Sequence, residues 1–246
     1  MNNMTNTARD LVLAAMAKGR VSPNSKIMWQ YKQSLPMLTP YQQQACTGLM
    51  LGDVSLVPNK AGTSHSIKFE WGDINYGYAK HVFSLLELFC LTPLRKQTRI
   101  NANGNAVVTW CFQTVSVPAF NFLADLFIVD GKKVINTTLL APYLTDVALA
   151  YWFMDDGSVS STPDRYGLSL HTQGFTPTEV DALIDLLVTK FGLDCWRRTN
   201  KGLPMITISG HSYAVFFALV SPYIHESMRR KFPTGNRTVW PSTGDT

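Results

Sequence analysis

Alternating polar and apolar positions mark two segments of the chain as β-strands. In Ser66–Trp71, the apolar residues Ile67, Phe69 and Trp71 alternate with polar ones, and a similar two-residue period runs through Gly167–Gln173. Successive side chains of a strand point to opposite faces of its sheet, so this period predicts one packed face and one polar face.

Each of these strands is followed, after an amphipathic helix, by a polar hairpin. Arg95–Thr114 contains Asn103-Gly104, a strong hairpin signal, and Trp196–Ser209 is rich in basic and polar residues. On the return strand of the first hairpin the alternation predicts core residues at Val108, Trp110 and Phe112, and polar-face residues at Thr109 and Gln113.

Two helix-compatible segments, Leu38–Asp53 and Leu144–Gly157, begin with Leu-Thr and run into a carboxylate. Thr39 and Thr145 are expected N-caps, and Pro40 suits the first helical position. Further amphipathic helices are predicted at His81–Cys90 and Glu179–Phe191, and helices ending in lysine at Pro118–Lys133 and Ser212–Lys231.

The order of these elements occurs twice, offset by about 100 residues at every landmark. We therefore predict an α+β fold with two pseudo-symmetric αββαββα subdomains. Each subdomain has an antiparallel sheet, and the two pack through the helices that end in acids. The predicted boundaries are a frayed N-terminal extension (1–36), a first subdomain (37–135), a linker (136–143), a second subdomain (144–233) and a C-terminal tail (234–246).

Composition and charge narrow the class of protein. The chain has 246 residues, 46% hydrophobic and 16% charged, which suffices for one large core or two modest ones and excludes general disorder. A net charge of +5 mildly favours a polyanionic partner. The four cysteines are single and widely spaced, so neither a zinc knuckle nor a disulfide framework is indicated. We expect no signal peptide and no membrane span, because no apolar run reaches about 18 residues.

Polar side chains recur on the predicted sheet faces of both halves. Such side chains can contact base edges and phosphates in a DNA groove, and the alternative is an ordinary solvated sheet face. The candidate DNA-binding residues are Lys68, Glu70, Arg95, Gln97, Arg99, Asn101, Gln113, Ser169, His171, Gln173, Arg197, Arg198 and Lys201.

The acids that end the two repeated helices are the candidate reactive groups. Asp53 and Asp156 lie at helix C-termini, where the helix dipole disfavours negative charge unless a cation compensates. Carboxylate and water oxygens suit Mg²⁺, and two such acids with DNA phosphates could form a site for phosphodiester hydrolysis. The alternative is a pair of solvated acids.

These two segments resemble the LAGLIDADG homing endonucleases, in their monomeric, two-motif, intron-encoded branch. LAYWFMDDG matches the motif at Leu149, Ala150, Asp156 and Gly157, and CTGLMLGDV matches it at Gly48, Leu49 and Asp53. With the strands FEW, VTW and HTQGFT in the corresponding places, the resemblance extends over roughly residues 23–233.

The resemblance implies that Asp53 and Asp156 bind catalytic Mg²⁺ and position the attacking water. It also implies that Mn²⁺ can substitute and that Ca²⁺ binds without supporting cleavage. Lys133 and Lys231 match a lysine near the end of each half that stabilises charge in the transition state. Lys132 is an alternative to Lys133. Asp155 competes with Asp156 but lies about 100° around the helix, as expected of an acid that supports Asp156 or faces solvent.

The expected interface between the repeated helices is a small face against a bulky one. Gly48 and Gly52 provide the small face, and Tyr151, Trp152 and Met154 make the second helix bulky. Unlike helices of this kind predict a monomer rather than a homodimer.

The predicted function is that of a site-specific double-strand DNA endonuclease. The resemblance implies a long asymmetric target, intron mobility, and an intracellular location that is mitochondrial or chloroplast for an organelle-encoded chain and otherwise the microbial cytoplasm. The alternatives are an RNA maturase that binds its own intron RNA and a DNA-binding protein of the same fold that does not cleave.

Overall fold

The computed structural model describes residues 2–162, 165–233 and 240. Of the predicted C-terminal tail, all residues except Trp240 lie outside the described residues. The helices are α1 (Asn2–Lys18), α2 (Lys26–Ser34), α3 (Pro40–Leu51), α4 (Tyr76–Leu85), α5 (Asn121–Phe127), α6 (Thr137–Leu140), α7 (Asp146–Asp156), α8 (Pro177–Phe191) and α9 (Tyr213–Val220). The strands are β1 (Ser55–Pro58), β2 (His65–Gly72), β3 (Arg95–Ile100), β4 (Ala106–Gln113), β5 (Ile128–Val129), β6 (Lys132–Lys133), β7 (Gly157–Thr162), β8 (Arg165–Leu170), β9 (Cys195–Asn200) and β10 (Leu203–Ile208).

The repeated order of elements is confirmed. The series α3-β1-β2-α4-β3-β4-α5 is followed by α7-β7-β8-α8-β9-β10-α9. The two four-stranded sheets have matching strand orders, β1-β2-β4-β3 and β7-β8-β10-β9, and all neighbouring strands are antiparallel. The fold is α+β, as predicted.

The predicted N-caps close the starts of the two repeated helices. The Thr145 hydroxyl accepts a hydrogen bond from the Ala148 amide at 3.4 Å. At α3 the bonds are reciprocal, since the Gln42 amide donates to the Thr39 hydroxyl at 3.2 Å and the Gln42 side chain accepts from the Thr39 amide at 2.9 Å. This capping box fixes where the helix begins.

The prediction that Lys133 and Lys231 end long helices is wrong. α5 ends at Phe127, and the chain then forms the short hairpin β5–β6, in which Lys133 pairs with Ile128. The turn of that hairpin is Asp130-Gly131, with φ values of 50° and 74°, a conformation that a right-handed helix cannot contain. α9 likewise ends at Val220, and Lys231 closes a later 3₁₀ segment, Glu226–Lys231.

The N-terminal segment is not frayed, contrary to the expectation for residues 1–36. Helices α1 and α2 share a small core of Val12, Met28 and Tyr31, against which Leu91 and Val115 also pack. The Tyr31 hydroxyl donates to the carbonyl of Leu88 at 2.6 Å. Burial of this phenol raises its pKa well above the ordinary value, with a smaller contribution from Cys90. The helical pair is therefore docked on the segment that leads into β3.

By compactness the chain divides into two units, Met1–Gln42 with Val54–Ala124, and Gln43–Asp53 with Asp125–Thr246. Most of α3 thus groups with the second half of the sequence, where its partner helix α7 lies. The linker predicted at residues 136–143 contains the one-turn helix α6, capped by Asn136. The repeat boundary itself stays a prediction.

The first sheet buries one face and leaves the other polar, as its alternation predicts. Ile67, Phe69 and Trp71 are buried, and the ring of Phe69 stacks on that of Phe112 with 4.3 Å between centroids. The return strand follows the prediction only in part. Val108 and Trp110 are half-buried, and Thr109, expected on the open face, is only 5% exposed.

The second unit is built around α7. Eight consecutive residues of this helix, Val147 to Met154, are buried, which explains why the segment AYWFM lacks a polar face. The helix contacts α9 and the sheet strands β7 and β8. None of the described helices has both the length and the apolar character that crossing a membrane requires.

Candidate catalytic site

Both motif acids line one cleft of about 230 Å³ in the second unit. The C-terminal ends of α3 and α7, the hairpin β5–β6 and the segment after β8 form its walls. The lining residues are Leu51, Gly52, Asp53, Lys133, Asp156, His171, Thr172, Gln173, Gly174 and Phe175. We call this the motif-acid cleft.

Close packing of α3 on α7 brings the acids to the same cleft. A Cβ atom added to Gly48 would lie 2.9 Å from the Ala148 carbonyl carbon and 2.9 Å from the Cβ of Tyr151. One added to Gly52 would lie 2.6 Å from the Cβ of Asp155. Real Cβ atoms do not approach so closely, so glycine at both positions is required for this helix contact. The predicted close approach is confirmed for Gly48 against Tyr151, whereas Gly52 packs against Asp155.

Lys133 and Lys231 make corresponding contacts at the ends of the two helices. The Lys133 ammonium donates to the carbonyl of Gly52 at 3.2 Å, and the Lys231 ammonium donates to the carbonyl of Asp155 at 2.8 Å. Each acceptor immediately precedes a motif acid. These cations lie where unpaired helix carbonyls concentrate negative charge, so they offset the unfavourable helix dipole at both acids.

Burial and neighbouring charges shift the pKa values of the acids and lysines at the cleft. Burial raises the pKa of Asp156 to about 7, and the negative charge of Asp53 adds to the rise while the two lysines oppose it. Burial lowers the pKa of Lys231 to about 8, against the opposing effect of the carboxylates. Burial also lowers the pKa of Lys133. Asp53, by contrast, is solvent-exposed.

The neighbouring alternatives to the predicted residues lie elsewhere. Asp155 packs at the interface between the helices, with Oδ2 2.7 Å from the Cβ position of a side chain at Gly52. Lys132 is exposed on β6, whereas Lys133 is half-buried and lines the cleft. Asp156 and Lys133 therefore line the cleft, and their neighbours Asp155 and Lys132 are not among its lining residues.

The donor set of the cleft suits a hydrated divalent cation. Asp53 and Asp156 supply carboxylate oxygens. Burial, with the charge of Asp53, raises the pKa of Asp156, and a cation bound between the acids would lower it again. Within the described part of the chain, no cluster of three or more His, Cys, Asp or Glu side chains could hold a metal ion. Proteins usually bind Mg²⁺ through one or two carboxylates, and water and phosphate oxygens complete its coordination. Two acids therefore suit Mg²⁺ better than they suit a metal ion whose ligands all come from the protein.

His171 and Gln173 line the motif-acid cleft. The two nitrogens of the His171 ring lie 3.1 Å from the Ser158 hydroxyl and 3.2 Å from the Gln173 amide nitrogen. The His171 backbone amide donates to the carbonyl of Asp156 at 2.9 Å. Burial, with a contribution from Lys231, lowers the pKa of His171, so the neutral ring is favoured.

The strand register places most of the candidate DNA-binding residues of the first sheet on one face. Lys68 pairs with Gln113, and both Glu70 and Arg95 pair with Cys111, while Gln97 and Arg99 follow Arg95 at two-residue intervals. Paired residues share a face, so these side chains form a continuous polar surface. Arg99 also forms an ion pair of 3.0 Å with Glu70. Asn101 lies beyond β3, where its side chain accepts from the turn amides of Asn103 and Asn105.

In the second sheet, Arg197 does not share the polar face expected of it. Its guanidinium donates to Asp181 on α8 at 2.7 Å and to the carbonyl of Pro177 at 3.1 Å. The next residue, Arg198, points to the opposite face, the one that holds Ser169. The register thus separates Arg197 from Arg198 and Ser169, and its assignment to DNA binding stays an untested prediction. Lys201 is exposed in the β9–β10 turn.

Two lining residues, Thr172 and Phe175, were not singled out from the sequence. The Lys133 ammonium lies 5.3 Å from the centre of the Phe175 ring, and the Thr172 hydroxyl donates to the carbonyl of Pro204 at 3.2 Å. Both residues follow directly after strand β8, and this position is the only sequence signal that could have identified them as lining residues. Using that signal requires knowing that the segment after β8 lines the cleft.

The repeated αββαββα order, the helix pair joined through glycines, and the paired acids with their lysines define the two-motif class of DNA endonucleases. The model of the LAGLIDADG DNA endonuclease family matches residues 43–216. The chain belongs to this family.

Similar proteins extend the match over most of the chain. A probable intron-encoded endonuclease of Wickerhamomyces canadensis is 37% identical over 214 residues, covering 86% of this chain and 92% of the relative. A cytochrome b mRNA maturase of Debaryomyces hansenii is 29% identical, covering 75% of this chain and 70% of that protein. Among solved structures, the homing endonuclease I-WcaI bound to its DNA recognition sequence has a TM-score of 0.83 and 34% identity, covering 93% of this chain and 99% of that one. The predicted family and the predicted class of homing endonuclease are confirmed.

Proposed function

We propose that this chain is a double-strand DNA endonuclease that uses Mg²⁺ to hydrolyse phosphodiester bonds at a long asymmetric target. The observation that carries the proposal is the convergence of Asp53 and Asp156 on one cleft, with a lysine ammonium at the end of each motif helix. In its cellular role the enzyme promotes mobility of the intron that encodes it, inside the mitochondrion, chloroplast or microbial cytoplasm that holds this intron.

Asp53 and Asp156 would hold the metal through their carboxylate oxygens. A bound Mg²⁺ supplies positive charge to the phosphate oxygens and lowers the pKa of water. We expect Mn²⁺ to substitute, and Ca²⁺ to bind without supporting cleavage. Asp53 is exposed and Asp156 is half-buried, so the two acids differ in solvent environment. The two DNA strands of the target would therefore meet different electrostatic environments in the cleft.

The two lysines would stabilise charge on the phosphate as its bond to the leaving oxygen breaks. A lysine ammonium has three donors, and the bond from Lys133 to Gly52 uses one of them. The remaining donors can reach oxygens in the cleft. Burial removes water from both ammonium groups and so lowers the pKa of both lysines. A phosphate anion in the cleft would favour their charged form again.

The polar sheet faces would hold the DNA. On the first sheet we assign contacts to Lys68, Glu70, Arg95, Gln97, Arg99 and Gln113, and on the second to Ser169, His171, Gln173, Arg198 and Lys201. Asn101 would act indirectly, because its side chain accepts hydrogen bonds from the amides of the β3–β4 turn and so holds that turn in shape. Both acids belong to one chain and their helices are unlike, so the enzyme acts as a monomer.

A second candidate function is splicing assistance to the intron RNA. The similarity to a protein named as an mRNA maturase favours it. The test that separates the two uses a plasmid carrying the insertion site of the source intron. Linear product formed with purified protein and Mg²⁺ supports the endonuclease. Accelerated splicing of the intron RNA with no plasmid cleavage supports the maturase and contradicts the main proposal.

A further inference from the structure

The net positive charge of the chain is concentrated at its N-terminus. Residues 1–36 hold five Lys or Arg residues and a single acid, a net charge of +4 out of the +5 of the whole chain. This segment precedes residues 43–216, which match the family, so its charge is separate from that of the repeated subdomains. Helices α1 and α2, which we call the N-terminal hairpin, carry most of this segment.

Three of these cations surround one exposed turn. Lys18 is the last residue of α1, Arg20 lies in the connection, and Lys26 is the first residue of α2, and all three are exposed. None of them forms an ion pair with an acid in the described parts of the chain. Of the other two cations, Lys32 is half-buried on α2, and Arg9 bonds to the carbonyl of Cys90 at 3.2 Å and pairs with Glu87.

A large aromatic side chain adjoins the cations. Trp29 is 61% exposed and lies one turn after Lys26 on α2, so the two side chains are neighbours on the helix surface. Unpaired cations beside an exposed aromatic residue form a surface that suits nucleic acid. The cations attract phosphates, and the ring can pack against sugars or bases.

The hairpin is anchored close to the polar face of the first sheet. Leu91 and Val115 pack against its core, and they lie four residues before Arg95 and two residues after Gln113. A fully extended chain would place these contacts at most about 14 Å and about 7 Å from the two sheet residues. The hairpin is thus anchored near the ends of β3 and β4 that carry Arg95 and Gln113, two residues to which the proposed function assigns DNA.

We infer that the N-terminal hairpin is an additional binding surface for the sugar–phosphate backbone of duplex DNA, formed by Lys18, Arg20, Lys26 and Trp29. The inference rests on the proposed function for its choice of DNA, because the first sheet of the same unit would engage the duplex in the same binding event. The hairpin contributes affinity that does not depend on the target sequence, and it takes no part in cleavage.

The test measures binding of the full chain to a fluorescein-labelled duplex in EDTA, across about 50 to about 200 mM salt. The variant Lys18→Ala/Lys26→Ala is compared with Lys80→Ala/Lys190→Ala, which loses the same net charge from exposed positions on α4 and α8. We expect the hairpin variant to bind about tenfold more weakly at low salt, with the slope of log affinity against log salt reduced by about two. The control pair should retain the wild-type slope. The variant Lys18→Arg/Lys26→Arg keeps both positive charges and should bind DNA as tightly as wild type.

Trp29→Ala gives an independent reading, because loss of an uncharged contact should weaken binding without changing the salt slope. Equal losses in the two lysine pairs would reduce the effect to net charge and overturn the inference. A larger loss on an RNA hairpin than on duplex DNA would also overturn it, in favour of an RNA surface. Because EDTA prevents cleavage, these results are independent of the plasmid assay, which alone decides the proposed nuclease activity.

Discussion

The ammonium of Lys133 lies 3.2 Å from the carbonyl oxygen of Gly52, the residue before Asp53. Lys231 makes the corresponding bond to Asp155, the residue before Asp156. In both halves a lysine from later in the repeat thus closes the helix end that presents a motif acid. This contact explains how two carboxylates can lie at helix C-termini, where the dipole alone would disfavour them.

The hydrogen bond from Lys133 to the carbonyl of Gly52 predicts that Lys133 and its neighbour Lys132 differ sharply in function. Lys133→Met should lower the single-turnover cleavage rate by about 10²–10³-fold, the usual effect of removing a group that stabilises transition-state charge. Lys132→Met is the matched control, since it removes an exposed charge one position away. Rapid-quench assays on a target duplex measure both rates, and an equal loss in the two variants would contradict the assignment.

The raised pKa of Asp156 predicts a dependence of stability on pH. The folded chain holds this proton more tightly than the unfolded chain, so the stabilising contribution is complete below the ordinary value of 3.8 and is lost as the pH rises through about 7. In metal-free buffer, Asp156→Asn should therefore gain stability relative to wild type as the pH rises across this range. Urea unfolding at several pH values measures the difference, and a difference that does not change with pH would refute this explanation.

The helix contact predicts that Gly48 does not tolerate even one methyl group. Gly48→Ala would place a Cβ 2.9 Å from the Ala148 carbonyl carbon, and we expect a loss of about 1–3 kcal/mol in the free energy of unfolding. Gly72→Ala is the control, because no atom lies within 4 Å of its added Cβ and its φ of −61° suits alanine. Similar unfolding midpoints for both variants would argue against the close approach of the helices.

Two adjacent arginines provide a test of the sheet faces. Arg198→Ala should weaken DNA binding and lower the salt slope by about one, because Arg198 lies on the polar face. Arg197→Ala should leave the slope unchanged, because its guanidinium is paired with Asp181 on the helix side of the sheet. A salt titration of both variants makes the comparison, and a reversed order of effects would contradict the observed register.

The sequence predicts the repeated elements and the motif acids because helix caps, two-residue alternation and hairpin turns are local signals. Other features depend on contacts distant in sequence. The local pattern predicts that a helix continues to Lys133, whereas the Asp130-Gly131 turn places Lys133 on a short hairpin. Arg197 and Arg198 were grouped although adjacent strand residues point to opposite faces. Helices α1 and α2 pack against Leu91 and Val115. The pattern of polar and apolar residues within residues 2–34 does not reveal these distant contacts.

Cleavage by single acid variants tests most directly the claim that Asp53 and Asp156 act in one metal site. The measurement follows linearisation of a supercoiled plasmid bearing the intron-insertion site, for wild type, Asp53→Asn and Asp156→Asn in Mg²⁺, with target affinity measured in parallel in Ca²⁺. We predict that wild type linearises the plasmid, and that each variant loses this activity by about 10²-fold or more while binding with near wild-type affinity. Linearisation by either variant at a rate near that of wild type would contradict the account.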